Sequence, residues 1–361
     1  MITRKACLNG VQWREILRHR RQYGEFNAAR VTLVQKVSRY DFEKSMHSDL
    51  PEQDLKKMLV SRGSDLASLL ARRDRHQICV REILEYLRQR GTEVRVRDVD
   101  SYEVEDVEWA DVVLSVGGDG TFLRTSSKLM STDTPLVGLN SDPERSEGLL
   151  CASWPHTNYS SQSEVLDKLF TGKFKWKLRH RIRVQVGRHH LPVLVLNEVF
   201  IGEQDAHHTS YYEITCDSDV SEKQKSSGLV IYTGTGSTAW VYNINRMGDA
   251  KVQQLLQIVK EKSSSIHISP DLVNKVMTKF NQSVVYNGSQ PTMSYAVREP
   301  ITRGIFSATH TQGTAKQITV KSRGWEPGLF IDGWYHCKFP EGTVAKFEMR
   351  LNDALRTVEL I

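Results

Sequence analysis

The sequence predicts an α/β domain with a parallel sheet, followed by a β-rich domain. Three observations predict it. Between residues 28 and 151, strand patterns alternate with helical ones, which is typical of a parallel sheet. From about residue 174, strand patterns follow one another with little helical pattern between them. The chain of 361 residues is long enough for two domains of ordinary size.

The first domain is predicted over residues 28–151. The continuous apolar run "DVVLSV" predicts a strand buried on both faces. Apolar residues recur at helical spacing in the segment 75–91, and Gly91 is placed to end that helix. The predicted elements are, in order, a strand at 29–37, an exposed helical stretch at 41–74, a helix at 75–91, strands at 92–99 and 111–116, a helix at 121–130 and a strand at 135–140.

The second domain is predicted over residues 152–361, and its last strands are candidates for packing back on the first domain. A helical interlude is expected at roughly 238–280. Strand patterns lie at 174–187, 191–203, 210–219, 227–236, 316–324, 328–339 and 343–351.

The segment 1–27 is basic and poor in acids, with Glu15 and Glu25 as its only carboxylates. Val11, Trp13, Ile16 and Leu17 could share an apolar helix face. This pattern is typical of a mitochondrial transit segment, although serine is missing. A surface helix with a solvated basic face is the alternative, and the sequence leaves both open.

Composition excludes several classes of protein. No run of about 18 apolar residues occurs, so no transmembrane helix and no membrane partner are expected. The net charge of +6 suits nucleotides, but no long Lys/Arg block points to nucleic acid. The five cysteines are scattered, which argues against a zinc module or a disulfide framework.

The segment "GGDGT", residues 117–121, follows the apolar strand. A glycine-rich turn between a parallel strand and a helix lets the backbone approach a phosphate. The segment matches neither G-x-x-x-x-G-K-[ST] nor G-x-G-x-x-G. We therefore predict a phosphate-facing loop of a different kind, formed by Gly117, Gly118, Gly120 and Thr121.

Asp119 is the unusual residue of this loop, because a carboxylate repels bound phosphate. It could orient Mg²⁺, or accept the proton of a hydroxyl that attacks a γ-phosphoryl group. A carboxylate is a weak base for an alcohol, so much of its value would be orientation. The alternative is that Asp119 caps the following helix.

Two further motifs point to a nucleotide. Asn197 and Glu198 stand at a strand end, where an amide and a carboxylate can bind a ribose and an amide-bearing ring. The second motif is a hydroxyl-rich turn that leads to an aromatic residue and contains Thr235, Thr238, Ala239 and Trp240. "GTGSTA" fits a Rossmann fingerprint, which we reject because it lies in a β-rich region. An ordinary polar turn is the alternative for each motif.

In this order and spacing the three motifs resemble the NAD kinase family. The resemblance covers roughly residues 30–361. Four separated segments are similar to the family's animal mitochondrial branch: 138–151, 226–245, 294–307 and 322–333.

The resemblance implies a kinase that phosphorylates the adenosine ribose 2′-hydroxyl of NAD with ATP. Asp119 would be the base or orienting group, and the 117–121 loop would face phosphate. Mg²⁺ would bridge the ATP phosphates, with Asp119 as a candidate ligand. The residues of the two later motifs would hold NAD. A homodimer in the mitochondrial matrix is also implied.

Three departures from the family pattern concern the pocket. The segment after Asn140 differs from the usual glycine turn, and its Arg145 is either a phosphate contact or an ion-pair partner of its neighbouring glutamates. Ser227 replaces an aspartate, and Trp240 replaces a tyrosine.

Two other functions compete with this one. They are a lipid or sugar kinase with the same loop, and a catalytically weak NAD-binding sensor. Asp332 is assigned only a β-turn.

Overall fold

The computed structural model describes residues 26, 28–152, 161–205, 207–217, 219–262, 267–303, 306 and 311–361. The predicted transit segment lies almost wholly outside them. The chain forms two compact units. Of the described residues, the first unit comprises those up to 125, those at 134–177 and 356–361, and the second comprises those at 126–133 and 178–355. None of the described helices is long and apolar enough to cross a membrane.

The first unit contains a four-stranded sheet in the order β2-β1-β3-β4. Its strands are β1 (Arg30–Gln35), β2 (Glu93–Asp98), β3 (Val112–Gly117) and β4 (Leu136–Asn140). Each neighbouring pair is parallel. All six residues of β3 are buried, as its continuous apolar pattern predicts. The predicted α/β domain with a parallel sheet is confirmed.

The described helices of this unit lie between the strands of its sheet and after the last of them. They are α1 (Arg39–Met46), α2 (Glu52–Ser61), α3 (Leu66–Gln89), α4 (Val104–Trp109), α5 (Asp119–Ser126, whose last residue falls in the second unit) and α6 (Gln162–Phe170). Asp65 caps α3 by accepting the Ser68 N–H. Gly91 follows the helix with a φ of +73°, the left-handed conformation typical of a helix end. The helix predicted at 121–130 corresponds to α5, which begins two residues earlier, at Asp119, and ends at Ser126.

The order of the sheet creates a switch point between β1 and β3. The chain leaves β1 toward β2 on one side, whereas β3 and β4 lie on the other. In open parallel sheets, ligands bind outside the carboxyl ends of the strands at such a point. Lys36 follows β1 and Gly118 follows β3, so both residues lie at this edge.

The second unit contains two six-stranded sheets, in the orders β10-β9-β14-β17-β6-β7 and β13-β12-β11-β8-β15-β16. All the pairings resolved in them are antiparallel. The strands of the chain from residue 174 on are β5 (Phe174–Arg179), β6 (Ile182–Val186), β7 (His189–Val195), β8 (Glu198–Glu203), β9 (Ser210–Cys216), β10 (Glu222–Ser226), β11 (Gly228–Tyr232), β12 (Met293–Arg298), β13 (Gln312–Ala315), β14 (Gln317–Ser322), β15 (Pro327–Ile331), β16 (Tyr335–Lys338), β17 (Val344–Met349) and β18 (Leu355–Leu360). β5 and β18 form a separate two-stranded sheet.

One hydrophobic core joins the two six-stranded sheets. Val184 and Phe347 of one sheet and Ile201 and Ile231 of the other belong to the same buried cluster. The predicted helical interlude appears as α7 (Trp240–Asn245), α8 (Asp249–Lys262) and α9 (Pro270–Ser283). The predicted β-rich domain is confirmed.

Arg181 is a fully buried cation in this unit. Its guanidinium donates to the carbonyl oxygens of Ser126, Leu129 and Asp353. Burial lowers its pKa to about 10. These bonds hold the short segment 126–133 to the second unit.

Candidate active site

Close packing requires two of the three glycines of the 117–121 loop. A Cβ on Gly117 would lie 2.3 Å from Thr121 Oγ1, and one on Gly118 would lie 2.8 Å from Ser146 Oγ. A Cβ on Gly120 would meet nothing within 4 Å. Gly117 and Gly118 therefore shape the turn, whereas Gly120 leaves open space beside the backbone.

Asp119 is the first residue of α5, but its carboxylate does not cap that helix. The N–H groups of Thr121 and Phe122 donate to Gly118 O instead. The carboxylate of Asp119 accepts the N–H of Leu149 at 3.1 Å and that of Leu150 at 2.9 Å. The helix-capping alternative is therefore wrong. Each carboxylate oxygen has a further lone pair that can accept another hydrogen bond.

Asn140 holds the segment between β4 and these two N–H groups. Its amide donates to Ser146 O at 2.8 Å and accepts the Asp142 N–H at 3.0 Å. Gly148 has a φ of +62°, and a Cβ there would lie 2.5 Å from Asn140 Nδ2. The Asn140 amide is thus used to position the segment 141–148.

Arg145 does not pair with its neighbouring glutamates. Its guanidinium donates to Ser68 Oγ at 3.0 Å. Glu144 pairs with Arg75 instead, at 2.8 Å. The ion-pair alternative for Arg145 is wrong, and its positive charge remains without a carboxylate partner among the described residues.

In the second unit, β8 lies between β11 and β15 and is antiparallel to both. The first residue of β8 therefore lies beside the ends of its two neighbours. Glu198 is opposite Tyr232, the last residue of β11, and Val199 is opposite Ile331, the last residue of β15. Segments that follow β11 and β15 consequently meet the Asn197–Glu198 pair.

Two side-chain atoms of this pair are buried without a hydrogen-bond partner. They are Asn197 Oδ1 and Glu198 Oε2. Leaving a buried polar atom unpaired costs about 1–3 kcal/mol, so folded proteins rarely keep two together. The arrangement is typical of a site whose ligand supplies the missing partners.

Asp332 positions the backbone of this pair. Its buried carboxylate accepts the N–H groups of Leu196 at 2.8 Å, Asn197 at 2.8 Å and Glu198 at 3.0 Å. The residue has a φ of +49°. The β-turn interpretation of Asp332 missed this role, because only the fold brings residues 136 positions apart together.

The turn after β11 packs directly on Asn197. Thr233 N–H donates to Asn197 O at 2.9 Å. A Cβ on Gly236 would lie only 2.2 Å from the same oxygen. Thr235 is buried, and its carbonyl oxygen accepts the Thr238 hydroxyl at 3.0 Å. The two predicted nucleotide motifs are thus in contact.

Trp240 presents an aromatic surface beside this turn. The residue follows Ala239 and is 41% exposed. Its ring meets Phe200 edge to face, with 5.6 Å between the ring centroids. The Arg298 guanidinium lies 5.3 Å from the Trp240 centroid. The sequence analysis did not identify Phe200 or Arg298. A planar ring of a ligand could stack on this surface.

Comparison with known proteins places this geometry in a family. No family model matches the chain. The chain is 38% identical to "NAD kinase 2, mitochondrial" of Xenopus tropicalis, over 93% of this chain and 91% of that protein. The Homo sapiens protein of the same name is 37% identical, over 93% of this chain and 85% of that protein.

The chain belongs to the NAD kinase family. The family resemblance seen in the sequence, and the enzyme class that it implies, are therefore confirmed. The vertebrate relatives are mitochondrial proteins, which confirms the predicted mitochondrial location. The structure of an NAD kinase from Archaeoglobus fulgidus, solved in complex with ATP, shares the fold with a TM-score of 0.54 and 17% identity, over 92% of this chain and 93% of that one.

Within this NAD kinase, β11 also decides the Rossmann alternative. It is antiparallel to both β8 and β12, whereas a Rossmann crossover requires parallel strands. The rejection of that fingerprint is confirmed. Ser227, which precedes β11, donates its hydroxyl to the Glu299 carboxylate. A carboxylate thus lies beside the position where the family pattern has an aspartate.

One further group has metal-ligand spacing among the described residues. Asp205, His207 and His208 lie exposed in the turn between β8 and β9, with their ligand atoms within 4.8 Å of one another. The group includes none of the predicted site residues.

Glu198 makes the unliganded protein sensitive to pH. Burial first, and then the negative charge of Asp332, raise the pKa of Glu198 to about 8 from a usual 4.5. Between these values the folded state binds the extra proton, so stability falls as pH rises, with a limiting slope of about 1.4 kcal/mol per pH unit. We expect Glu198→Gln to remove this slope, so that the variant is more stable than the wild type at pH 8.

Urea unfolding of the unliganded protein at several pH values between 5 and 8 measures this effect. The exposed Glu341→Gln is the control and should leave the slope unchanged. Equal pH slopes for Glu198→Gln and the wild type would contradict the assignment of the buried, protonated carboxyl to Glu198.

Proposed function

We propose that this protein transfers the γ-phosphoryl group of ATP to the 2′-hydroxyl of the adenosine ribose of NAD, which yields NADP and ADP. The observation that carries the proposal is the pair of unpartnered buried atoms, Asn197 Oδ1 and Glu198 Oε2, beside the turn after β11. A dinucleotide offers hydroxyl and amide donors to both atoms.

The second unit supplies the NAD-binding residues in this proposal. Asn197 and Glu198 accept hydrogen bonds from NAD, and their backbone is fixed before the ligand arrives. Thr235, Thr238 and Ala239 line the pocket, and Trp240 stacks on a planar ring. A preformed backbone reduces the entropy lost when the ligand binds.

Asp119 orients the ribose 2′-hydroxyl and accepts its proton as the new P–O bond forms. Its two bonds to backbone N–H groups fix the carboxylate, so little reorganisation is needed during the reaction. Gly117, Gly118, Gly120 and Thr121 present the backbone to the phosphates. The N-terminal end of α5 adds partial positive charge.

Mg²⁺ is the metal ion that this chemistry implies. Its preferred ligands are oxygens, and it is usually held by one or two carboxylates together with substrate phosphates. Asp119 offers carboxylate oxygens beside the phosphate-facing loop, so the residues present fit the ion. When bound, the ion neutralises charge on the transferring phosphoryl group.

Gly120→Ala tests whether the backbone at Gly120 faces the bound phosphate. Space for the new Cβ is open, and alanine in a helix is about 0.5–1 kcal/mol more favourable than glycine. We therefore expect unchanged or slightly higher thermal stability. We also expect kcat/KM for ATP to fall by about 10- to 10²-fold, because the methyl group displaces the phosphate from the backbone.

Gly248→Ala is the matched control, since that glycine also has open space at its Cβ and is exposed. It should leave kcat/KM for ATP unchanged, with at most a small loss of thermal stability, because Gly248 is the N-cap of α8. Full activity of Gly120→Ala would contradict a close approach of phosphate to this part of the loop.

Incubation of the purified protein with ATP, Mg²⁺ and NAD, followed by detection of NADP, tests the proposal. Formation of NADP that depends on both substrates supports it. Phosphorylation of a lipid or sugar without NADP would favour the second kinase interpretation. Calorimetric binding of NAD without turnover would favour the sensor.

A homodimer and a cleaved N-terminal transit segment belong to the same proposal. Both are implied by the family resemblance. Light scattering of the purified protein, and the N-terminal sequence of the protein from mitochondria, measure them directly.

A further inference from the structure

Three side chains that can bind a metal ion lie in the turn between β8 and β9. They are Asp205, His207 and His208, and all three are exposed. One nitrogen of each imidazole and one oxygen of the carboxylate lie within 4.8 Å of one another. In the part of the chain that the structure describes, no other group of three or more His, Cys, Asp or Glu side chains has this spacing. The group shares no residue with the proposed active site.

The backbone of this turn is held at its base and across its middle. Glu203, the last residue of β8, is buried, and its N–H donates to the buried Ser210 Oγ at 3.1 Å. The Glu203 carboxylate accepts the Glu326 N–H at 2.7 Å. Within the turn, the His208 N–H donates to Asp205 O at 3.0 Å. The backbone thus brings the metal-binding side chains together before an ion arrives, which lowers the entropy that binding costs.

His207 and His208 lie side by side although they are adjacent in sequence. Their ring centroids are 4.1 Å apart, with an angle of 52° between the rings. In a β-strand, adjacent side chains point to opposite faces of the sheet and could not share an ion. His189 and His190, which are also exposed, form such a pair at the start of β7. The turn, rather than the His-His sequence itself, therefore creates the spacing that a metal ion needs.

The ligand atoms of this group are available to an ion. The described residues include no ion-pair partner for Asp205 and no hydrogen-bond partner for the imidazole of His207 or His208. A zinc ion lies about 2.0–2.2 Å from nitrogen and oxygen ligands, so tetrahedral ligand atoms are roughly 3.4 Å apart. The group reaches that spacing if its atoms approach by at most about 1.5 Å, which exposed side chains achieve by rotation about their χ bonds.

We propose that this turn binds a transition-metal ion of the zinc class, held by His207, His208 and Asp205 with water in the remaining position. Imidazole nitrogens suit Zn²⁺, Cu²⁺ and Ni²⁺, whereas Mg²⁺ prefers oxygen ligands. The site is therefore distinct from that of the Mg²⁺ that accompanies ATP. The turn carries the chain from one six-stranded sheet of the second unit to the other. An ion bound there stabilises this connection, because it binds the folded chain in preference to the unfolded one.

Calorimetric titration of Zn²⁺ into the full-length protein tests the proposal. The protein carries no polyhistidine tag, and Mg²⁺ is present in excess so that sites made of oxygen ligands are already occupied. We expect the wild type to bind a single Zn²⁺ per chain. His207→Ala/His208→Ala should weaken binding by about 10²-fold or more, because loss of a group that merely supports a zinc ligand already costs about 10- to 10²-fold. Zn²⁺ should also raise the melting temperature of the wild type but not that of this variant.

His189→Ala/His190→Ala is the matched control, since it also removes two adjacent exposed imidazoles. It should bind Zn²⁺ as the wild type does. Without Zn²⁺, both double variants should keep the melting temperature of the wild type, because the replaced side chains are exposed. Equal affinity for Zn²⁺ in the wild type and in His207→Ala/His208→Ala would overturn the proposal. An equal loss in the control would also overturn it, because zinc binding would then belong to surface histidines in general.

Electron paramagnetic resonance of the Cu²⁺ form identifies the ligands directly. Cu²⁺ binds nitrogen and oxygen sites more tightly than Zn²⁺ does, so it occupies the same site. The wild-type spectrum should show coupling to the nitrogens of two imidazoles, and His207→Ala/His208→Ala should lose this coupling. A wild-type spectrum without imidazole coupling would overturn the assignment. This readout does not depend on whether the protein phosphorylates NAD.

Discussion

Replacing Asp119 by Asn is expected to lower kcat for NADP formation by about 10²- to 10⁴-fold at saturating ATP and NAD, the usual effect of removing a general base. An amide keeps the shape of the carboxylate but cannot accept the proton of the 2′-hydroxyl. Since substrate binding depends on other residues, we expect the KM for NAD to change much less than kcat. Steady-state kinetics with NADP detection measures both.

Asp119 also bonds to the N–H groups of Leu149 and Leu150, so a structural effect needs its own control. Asp111→Asn provides it. The Asp111 carboxylate accepts the Arg30 N–H at 2.8 Å in the same unit, but lies outside the proposed site. Both variants should lose some thermal stability, and only Asp119→Asn should lose kcat. A near-wild-type kcat of Asp119→Asn together with a lowered melting temperature would show that Asp119 has only a structural role.

Replacing Asp332 by Ala is expected to destabilise the protein by about 3 kcal/mol or more. The change leaves the buried N–H groups of Leu196, Asn197 and Glu198 without their hydrogen-bond acceptor, each at a cost of about 1–3 kcal/mol. It also places alanine at a φ of +49°, which is strained for a side chain other than Asn, Asp or Gly. Urea unfolding measures the loss.

Asp332→Asn tests the functional part of this prediction if the alanine variant does not fold. Asn tolerates the positive φ and keeps one accepting oxygen. We expect a folded protein whose KM for NAD rises about tenfold while its KM for ATP changes little. Removal of the neighbouring negative charge should also lower the pKa of Glu198.

Asp217→Ala is the matched control for Asp332→Ala. Asp217 has a φ of +52° and accepts the N–H groups of Lys316 and Gln317, but it is exposed. It should cost less stability and leave the KM for NAD unchanged. If Asp332→Asn also left that KM unchanged, Asp332 would not position the NAD-binding pair.

Local patterns in the sequence predicted much of the fold. The apolar run 111–116 predicted a buried strand, and β3 is buried throughout. The glycines after it predicted a turn into a helix, and α5 begins at Asp119. Strands 293–298 and 312–315 were not predicted, because runs of only six and four residues carry little periodic signal.

Long-range contacts could not be predicted in this way. Asp332 resembles any β-turn aspartate until β15 is placed beside β8. Lys36 follows β1 and Arg72 lies in α3, and neither belongs to a motif. Only the parallel sheet brings the end of β1 beside the end of β3, and only the packing of α3 brings Arg72 within 3.7 Å of Asp142.

A crystal structure of the protein with bound NAD tests the central claim most directly. We predict that the oxygen of the adenosine ribose 2′-hydroxyl lies within about 2.6–3.2 Å of a carboxylate oxygen of Asp119. Asn197 Oδ1 and Glu198 Oε2 should accept hydrogen bonds from the same ligand. A dinucleotide bound with its 2′-hydroxyl turned away from Asp119, or with both of those atoms still unpartnered, would contradict the account.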